Sequence, residues 1–201
     1  MSDILKMDKL HENAPIMVTS VPKLIMDELD IWVDDCRKIK DHPLSELKSH
    51  ENAGTENNTF QTSVSTNLVE NSFWLAWVLR LTAKYFLDEG DSIYDSWGEA
   101  LTPHRTLKLR KWDGHFDNYD VWTNFSYKGN YNPTHFHNGF VSGVLYYKNH
   151  EHPTIFEDNG IGYVGHDRTM VLFKSDVVHR VEPQTLDEER ITIAFNIEKS
   201  D

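Results

Sequence analysis

Three histidines and an arginine in the C-terminal half have the types and spacing for metal chemistry. His135 and His137 stand two apart in Asn132-Pro133-Thr134-His135-Phe136-His137, His179 lies more than forty residues downstream, and Arg190 follows on the last apolar run. In an extended segment, residues i and i+2 face the same side. Their backbones lie about 6–7 Å apart, so the two imidazoles can converge on one ion. An HxH pair alone is a weak signal. His179, in Val177-Val178-His179-Arg180-Val181-Glu182-Pro183, would add a third nitrogen. Three ligands on one side of a metal leave the other positions open, as redox catalysis at non-haem iron requires. The same three imidazoles would equally make a zinc site.

Arg190 opens a strand whose alternation is clean. Ile191, Ile193, Phe195 and Ile197 form one face; Arg190, Thr192, Ala194 and Asn196 form the other. If the second face lines a cavity, an arginine among small and polar neighbours suits a carboxylate, which it can grip through two parallel hydrogen bonds. If it faces water, Arg190 reads as a surface ion pair with Glu188 or Glu189. Alternation alone leaves both open.

Several elements must position these residues. Ile16–Thr19 reads as a short strand. Ser20 and Pro22 read as a helix start, and Ile25, Leu29, Trp32 and Cys36 mark one face of a helix to about Lys40. The polar stretch 41–59 reads as a loop. Asn71 or Ser72 would cap a second helix ending near Gly90, apolar on most of its circumference and so a buried support. After Gly90 the pattern becomes one of short strands: 106–112, 119–127, 140–147, 154–156, 169–173, 177–181 and 190–197, separated by Gly, Asn, Asp and Pro. Such spacing predicts a β-sandwich or barrel. The expected organisation is one domain over 1–201, with 1–100 a helical support and 101–201 the β-rich core.

Composition narrows the classes. With 201 residues, 39% hydrophobic and 26% charged, the chain reads as globular. A formal net charge of −12 argues against nonspecific binding to nucleic acid or an anionic membrane. One cysteine, Cys36, rules out an internal disulfide and a cysteine-based zinc motif. The first residues, Met-Ser-Asp-Ile-Leu-Lys-Met-Asp, read as no signal peptide, and no apolar window is long enough to span a membrane. The expected location is cytoplasmic, the host cytoplasm if the protein is viral. The other eight histidines, His152 among them, sit in polar or turn-like surroundings and read as surface or local hydrogen-bonding groups.

A set of motifs, in order over about residues 105–197, resembles the 2-oxoglutarate- and Fe(II)-dependent oxygenases. It is most similar to a prolyl-hydroxylase-like branch common in phages and marine bacteria. The motifs are Trp122-Thr123-Asn124, Lys128-Gly129-Asn130, His135-Phe136-His137, Ser142-Gly143-Val144-Leu145-Tyr146-Tyr147, Phe173-Lys174-Ser175, His179-Arg180-Val181-Glu182-Pro183, Arg190 and Phe195-Asn196. The N-terminal third matches only in general character.

The resemblance implies a mostly β fold with flanking helices, built on a double-stranded β-helix (jelly-roll, cupin-like) core. It implies Fe(II), 2-oxoglutarate and O2 as cofactors, with succinate and carbon dioxide released as a peptidyl or small-molecule substrate is hydroxylated. His135 and His179 take the positions of the first and distal iron ligands. His137 stands where the family usually has a carboxylate, which removes one negative charge from the ligand set. Arg190 takes the place that pairs with the distal carboxylate of 2-oxoglutarate. Tyr147 falls where prolyl-hydroxylase-like members place a hydroxyl on the same carboxylate, with Tyr146 the other candidate. Thr192, Asn124, Tyr127 and Asn196 are candidates around the cosubstrate or the substrate. The rival expectation is a three-histidine jelly roll that does not use 2-oxoglutarate: another dioxygenase, a zinc hydrolase or a non-catalytic binding module.

Overall fold

The computed structural model describes residues 8–9, 16–40, 60–63, 73–86, 116–149, 152–157 and 161–199. The expected loop at 41–59, the caps Asn71 and Ser72 and the strand at 106–112 lie outside the described residues. The strands are β1 (Asp8–Lys9), β2 (Met17–Ser20), β3 (Phe60–Ser63), β4 (Phe116–Ser126), β5 (Asn132–His135), β6 (Val141–Lys148), β7 (Pro153–Phe156), β8 (Ile161–Val164), β9 (Thr169–Lys174), β10 (His179–Val181) and β11 (Arg190–Lys199). Two helices, α1 (Lys23–Lys40) and α2 (Phe73–Phe86), lie between the early strands.

The strands form two antiparallel sheets. The major sheet runs β1-β2-β9-β6-β11-β4-β3 and the minor sheet β5-β10-β7-β8. This is the jelly-roll core with flanking helices. The first hundred residues contribute strands as well as helices. β2 pairs with β9, and β3, which carries no clear alternation signal, pairs with β4. β8, four residues beside a glycine, is likewise invisible to the pattern.

The major sheet has two unlike faces. Its outer face carries Val121 and Phe125 of β4, Val141 and Leu145 of β6, Met170 and Leu172 of β9, and Ile191, Ile193, Phe195 and Ile197 of β11. All are buried in one cluster with the residues of α1 and α2. The α1 stripe is the expected one, since Ile25, Leu29, Trp32 and Cys36 are all buried. Trp74 of α2 meets Phe195 edge-on with centroids 5.5 Å apart. Trp32 donates its indole N–H to Thr123 Oγ1 at 3.1 Å, so this buried polar side chain of β4 has a partner under the helix. The helix start differs from expectation. Ser20 ends β2 in register with Thr169, and the Pro22 carbonyl accepts the first helical bond from Met26 N–H at 3.0 Å. Glu28 of α1 accepts from the Trp74 N–H at 3.0 Å, which satisfies an otherwise unpaired donor at the N-terminus of α2.

The inner face looks toward the minor sheet. Towards β9 it is apolar: Tyr146, Val171 and Phe173 pack with Ile16, Phe156 and Val177. Towards β4 and β11 it carries the polar residues considered next.

Candidate metal centre

His135 and His179 face each other across β5 and β10 in direct register. His137 lies just past the end of β5, with Phe136 between the two histidines turned out and 62% exposed. Gly139 then takes φ +136°, in the left-handed half of the map where a Cβ is disfavoured, and the chain turns so that Phe140 N–H reaches Ile197 O at 2.8 Å. The three rings meet: centroid separations are 4.9 Å for His135–His137, 4.3 Å for His135–His179 and 5.1 Å for His137–His179. One candidate ligand nitrogen from each lies within 4.8 Å of the others.

The hydrogen bonds select the tautomers. His135 Nδ1 is 2.6 Å from Pro133 O, and His179 Nδ1 is 3.0 Å from Val177 O. A carbonyl can only accept, so both Nδ1 atoms carry the proton and both Nε2 lone pairs are left for a metal. His137 is placed by its backbone, whose N–H donates to Ser175 O at 2.9 Å, and by the Trp122 ring at 5.8 Å. Beneath it, Ser142 Oγ donates to Asn196 Oδ1 at 2.7 Å and lies 2.9 Å from Ser175 Oγ. Asn196 therefore supports the segment that carries His137.

Burial, then the neighbouring histidines, pulls His137 down to about 3. Burial and His135 pull His179 down to about 4, against the bond to Val177. Both are neutral near pH 7, the form that ligates. Among the described residues no carboxylate joins the cluster.

A second polar group lies on the inner face of the major sheet. Asn124, Thr192 and Tyr146 are in register across β4, β11 and β6. Asn124 Nδ2 donates to Thr192 Oγ1 at 3.1 Å, while its Oδ1 is buried without a partner. The Tyr146 hydroxyl crosses to the minor sheet and donates to Thr154 Oγ1 at 2.8 Å. A Cβ on Gly165 would collide with the Tyr146 ring, so glycine there admits the tyrosine. Burial lifts the Tyr146 phenol to about 12.

Arg190, at the end of this group, is 3% exposed. It is a buried residue of the inner face, and the surface ion pair does not form. The Glu189 carboxylate instead binds Arg37 of α1 at 3.1 and 2.5 Å and accepts from the Tyr127 hydroxyl. Arg190 Nε donates to Asn149 Oδ1 at 2.6 Å. Burial holds its guanidinium down to about 10, still charged at pH 7.

Two expected site residues are elsewhere. Tyr147 follows Tyr146 and so points the other way, where it donates to Asp30 of α1 at 2.7 Å. A bulge between Ile191 and Thr192 in the β11–β6 pairing lies at this point. Tyr127 sits on the helix side with Glu189. Asn149 beside Arg190 is not singled out by the sequence, while His152 is the local hydrogen-bonding group expected. Asn149 reads as a turn residue after an apolar strand. His152 is half-buried, with Nε2 2.7 Å from Glu182 O.

No protein-family model matches the sequence, and no curated protein matches it either. Solved structures do. A viral collagen prolyl hydroxylase from Paramecium bursaria Chlorella virus-1, in complex with 2-oxoglutarate, superposes with a TM-score of 0.51 at 14% identity, over 88% of this chain and 90% of that one. The fold is that of the prolyl hydroxylases. A Pseudomonas putida prolyl-4-hydroxylase gives 0.52 at 16% identity, covering 88% of each chain. A full-length Neurospora crassa protein, in complex with α-ketoglutarate, gives 0.59 at 12% identity, over 92% of this chain and 76% of that one. These neighbours do not separate a phage or marine-bacterial branch from other chains of this fold.

Proposed function

We propose that this chain is an Fe(II)- and 2-oxoglutarate-dependent oxygenase that hydroxylates a peptidyl or small-molecule substrate. The observation that carries the reading is Arg190. It is a buried cation without a carboxylate partner among the described residues, in the same sandwich as three convergent imidazoles. An unpaired buried charge is costly, and a carboxylate ligand removes that cost. The structures with this fold that hold 2-oxoglutarate support the same choice.

The donor set fits a divalent ion. His135, His137 and His179 would hold it through three ring nitrogens. Bound iron supplies dioxygen activation coupled to the decarboxylation of 2-oxoglutarate to succinate and carbon dioxide. The protein does the rest. Arg190 offers its two Nη groups to the distal carboxylate, with the Tyr146 hydroxyl beside it. Thr192 and Asn124 line the path between, and the Asn124 amide, turned over, would present its donor to an anionic oxygen. Phe156 and Phe173 stand 6.1 and 4.9 Å from the His179 ring and keep water from that side. Exposed Phe136 and half-buried Trp122 flank the histidines and offer an apolar approach for the substrate.

A second reading rests on one observation: among the described residues the cluster contains no carboxylate, and three imidazoles are also a catalytic zinc set. The two part on cosubstrate use. Purified protein loaded with Fe(II) should release succinate when given 2-oxoglutarate and oxygen, and none when zinc replaces iron. Metal-dependent hydrolysis without succinate would favour the zinc reading.

A further inference from the structure

We infer that Asn149 is the positioning residue that orients the Arg190 guanidinium for a dicarboxylate while leaving its charge uncompensated. The inference rests on the cosubstrate reading above. Asn149 follows β6 and is fully buried. Its amide orientation is set by its partners. One end lies 2.8 Å from His152 O and 2.5 Å from Gly165 O. Two carbonyls can only accept, so that end is the NH2. The oxygen is thereby turned to Arg190 Nε at 2.6 Å. Both side-chain N–H groups and the oxygen are engaged, and the backbone N–H is held by Asp167 Oδ1 at 2.7 Å. Asn149 thus ties the end of β6, the turn at His152, the loop at Gly165 and β11 to one another.

The choice of residue matters as much as the geometry. A buried arginine is ordinarily paired with a carboxylate. Here the neighbouring carboxylates are engaged elsewhere: Glu189 by Arg37 and Tyr127, Asp167 by the Asn149 backbone. Asn149 supplies the hydrogen bond that fixes the guanidinium plane, and no negative charge. It takes only Nε and leaves the Nη fork for a ligand, the geometry a carboxylate matches with two parallel bonds. An aspartate of the same shape would neutralise the cation and lose both donors to the carbonyls.

The test compares a dicarboxylate with its monocarboxylate counterpart. 2-Oxoglutarate and 2-oxobutyrate are titrated calorimetrically into Mn(II)-loaded wild type, N149D and N149A under nitrogen. Wild type should prefer 2-oxoglutarate by at least about tenfold. N149D should weaken 2-oxoglutarate by at least about thirtyfold and bring the preference to about one, a loss of the size expected for a disturbed buried charge contact. N149A, which frees the guanidinium but keeps its charge, should lose about tenfold. Manganese and 2-oxobutyrate binding should stay near wild type, which general structural damage would not allow. Wild type that does not bind 2-oxoglutarate overturns the cosubstrate reading and this inference with it. Wild-type binding whose preference survives in N149D overturns this inference alone. Should N149D not fold, the N149A titration and the Arg190 Nε–H signal of wild type, assigned by its loss in R190K, decide. Slow exchange with water before any ligand is added is expected. Fast exchange, or full preference in N149A, contradicts the inference.

Discussion

The two faces of the major sheet are built from the same strands and do opposite work. On β11, Ile191, Ile193, Phe195 and Ile197 face α1 and α2, while Arg190, Thr192 and Asn196 face the minor sheet. On β4, Thr123 and Phe125 go outward while Trp122 and Asn124 go inward. The outer face is apolar and closed by helices. The inner face keeps a cation and an amide oxygen without a partner, and looks toward the minor sheet, whose β5 and β10 bring the clustered imidazoles. A period of two lets one strand hold the fold together with one set of residues and present chemistry with the next. Neighbouring substitutions should therefore have separable effects.

The largest effect is expected on the inner side. His179→Ala should weaken metal binding by more than the roughly 10–100-fold typical of changes to the groups that orient a ligand, measured by chelator competition, with the apo fold intact. On the outer side Leu29→Ala should cost about 2–5 kcal/mol in denaturant unfolding and leave metal affinity unchanged. A loss of metal in Leu29→Ala would break the separation.

Adjacent tyrosines sharpen the comparison. Tyr146→Phe leaves the buried Thr154 hydroxyl without its partner, at a cost of about 1–3 kcal/mol, and should raise the KM for 2-oxoglutarate. Tyr147→Phe removes only the bond to Asp30. It should cost under about 1 kcal/mol and leave that KM alone. The reverse order would place the cosubstrate contact on the wrong tyrosine.

pH should act through the inner face. His137 and His179 titrate near 3 and 4 in the folded protein, against 6.5 ordinarily. Between these values the unfolded chain binds more protons than the folded one, so stability falls as pH falls. The apo protein should be at full stability above about pH 6.5 and lose it progressively towards pH 4. His137→Gln should flatten that slope, as read from thermal midpoints across the range.

The histidine cluster is legible because its signal is local: an HxH pair has one geometry in an extended segment, and His179 sits in an apolar run. Arg190 was half legible. Alternation put it opposite the isoleucines, but only the capture of Glu189 by Arg37, across 152 residues, shows that the surface ion pair fails. Tyr146 and Tyr147 could not be told apart, since adjacent strand residues face opposite ways and the register belongs to the partner strand. Asn149 was hidden for a similar reason. Its role depends on contacts to His152, Gly165 and Arg190, and a polar residue after an apolar strand otherwise reads as a turn. β3 and β8 were missed because four residues carry too little pattern and gain their strand character from pairing.

The most direct test is an anaerobic titration of the Fe(II)-loaded protein with 2-oxoglutarate, followed by visible absorption, in wild type and Arg190→Ala. Wild type should develop the weak charge-transfer band of a 2-oxo acid chelated to Fe(II). It should then form succinate when oxygen is admitted. Arg190→Ala should bind the same amount of iron and need far more 2-oxoglutarate for the band. Iron binding with no band at any concentration, or a band indifferent to Arg190, would contradict the pairing of a three-histidine centre with a buried arginine as a cosubstrate site.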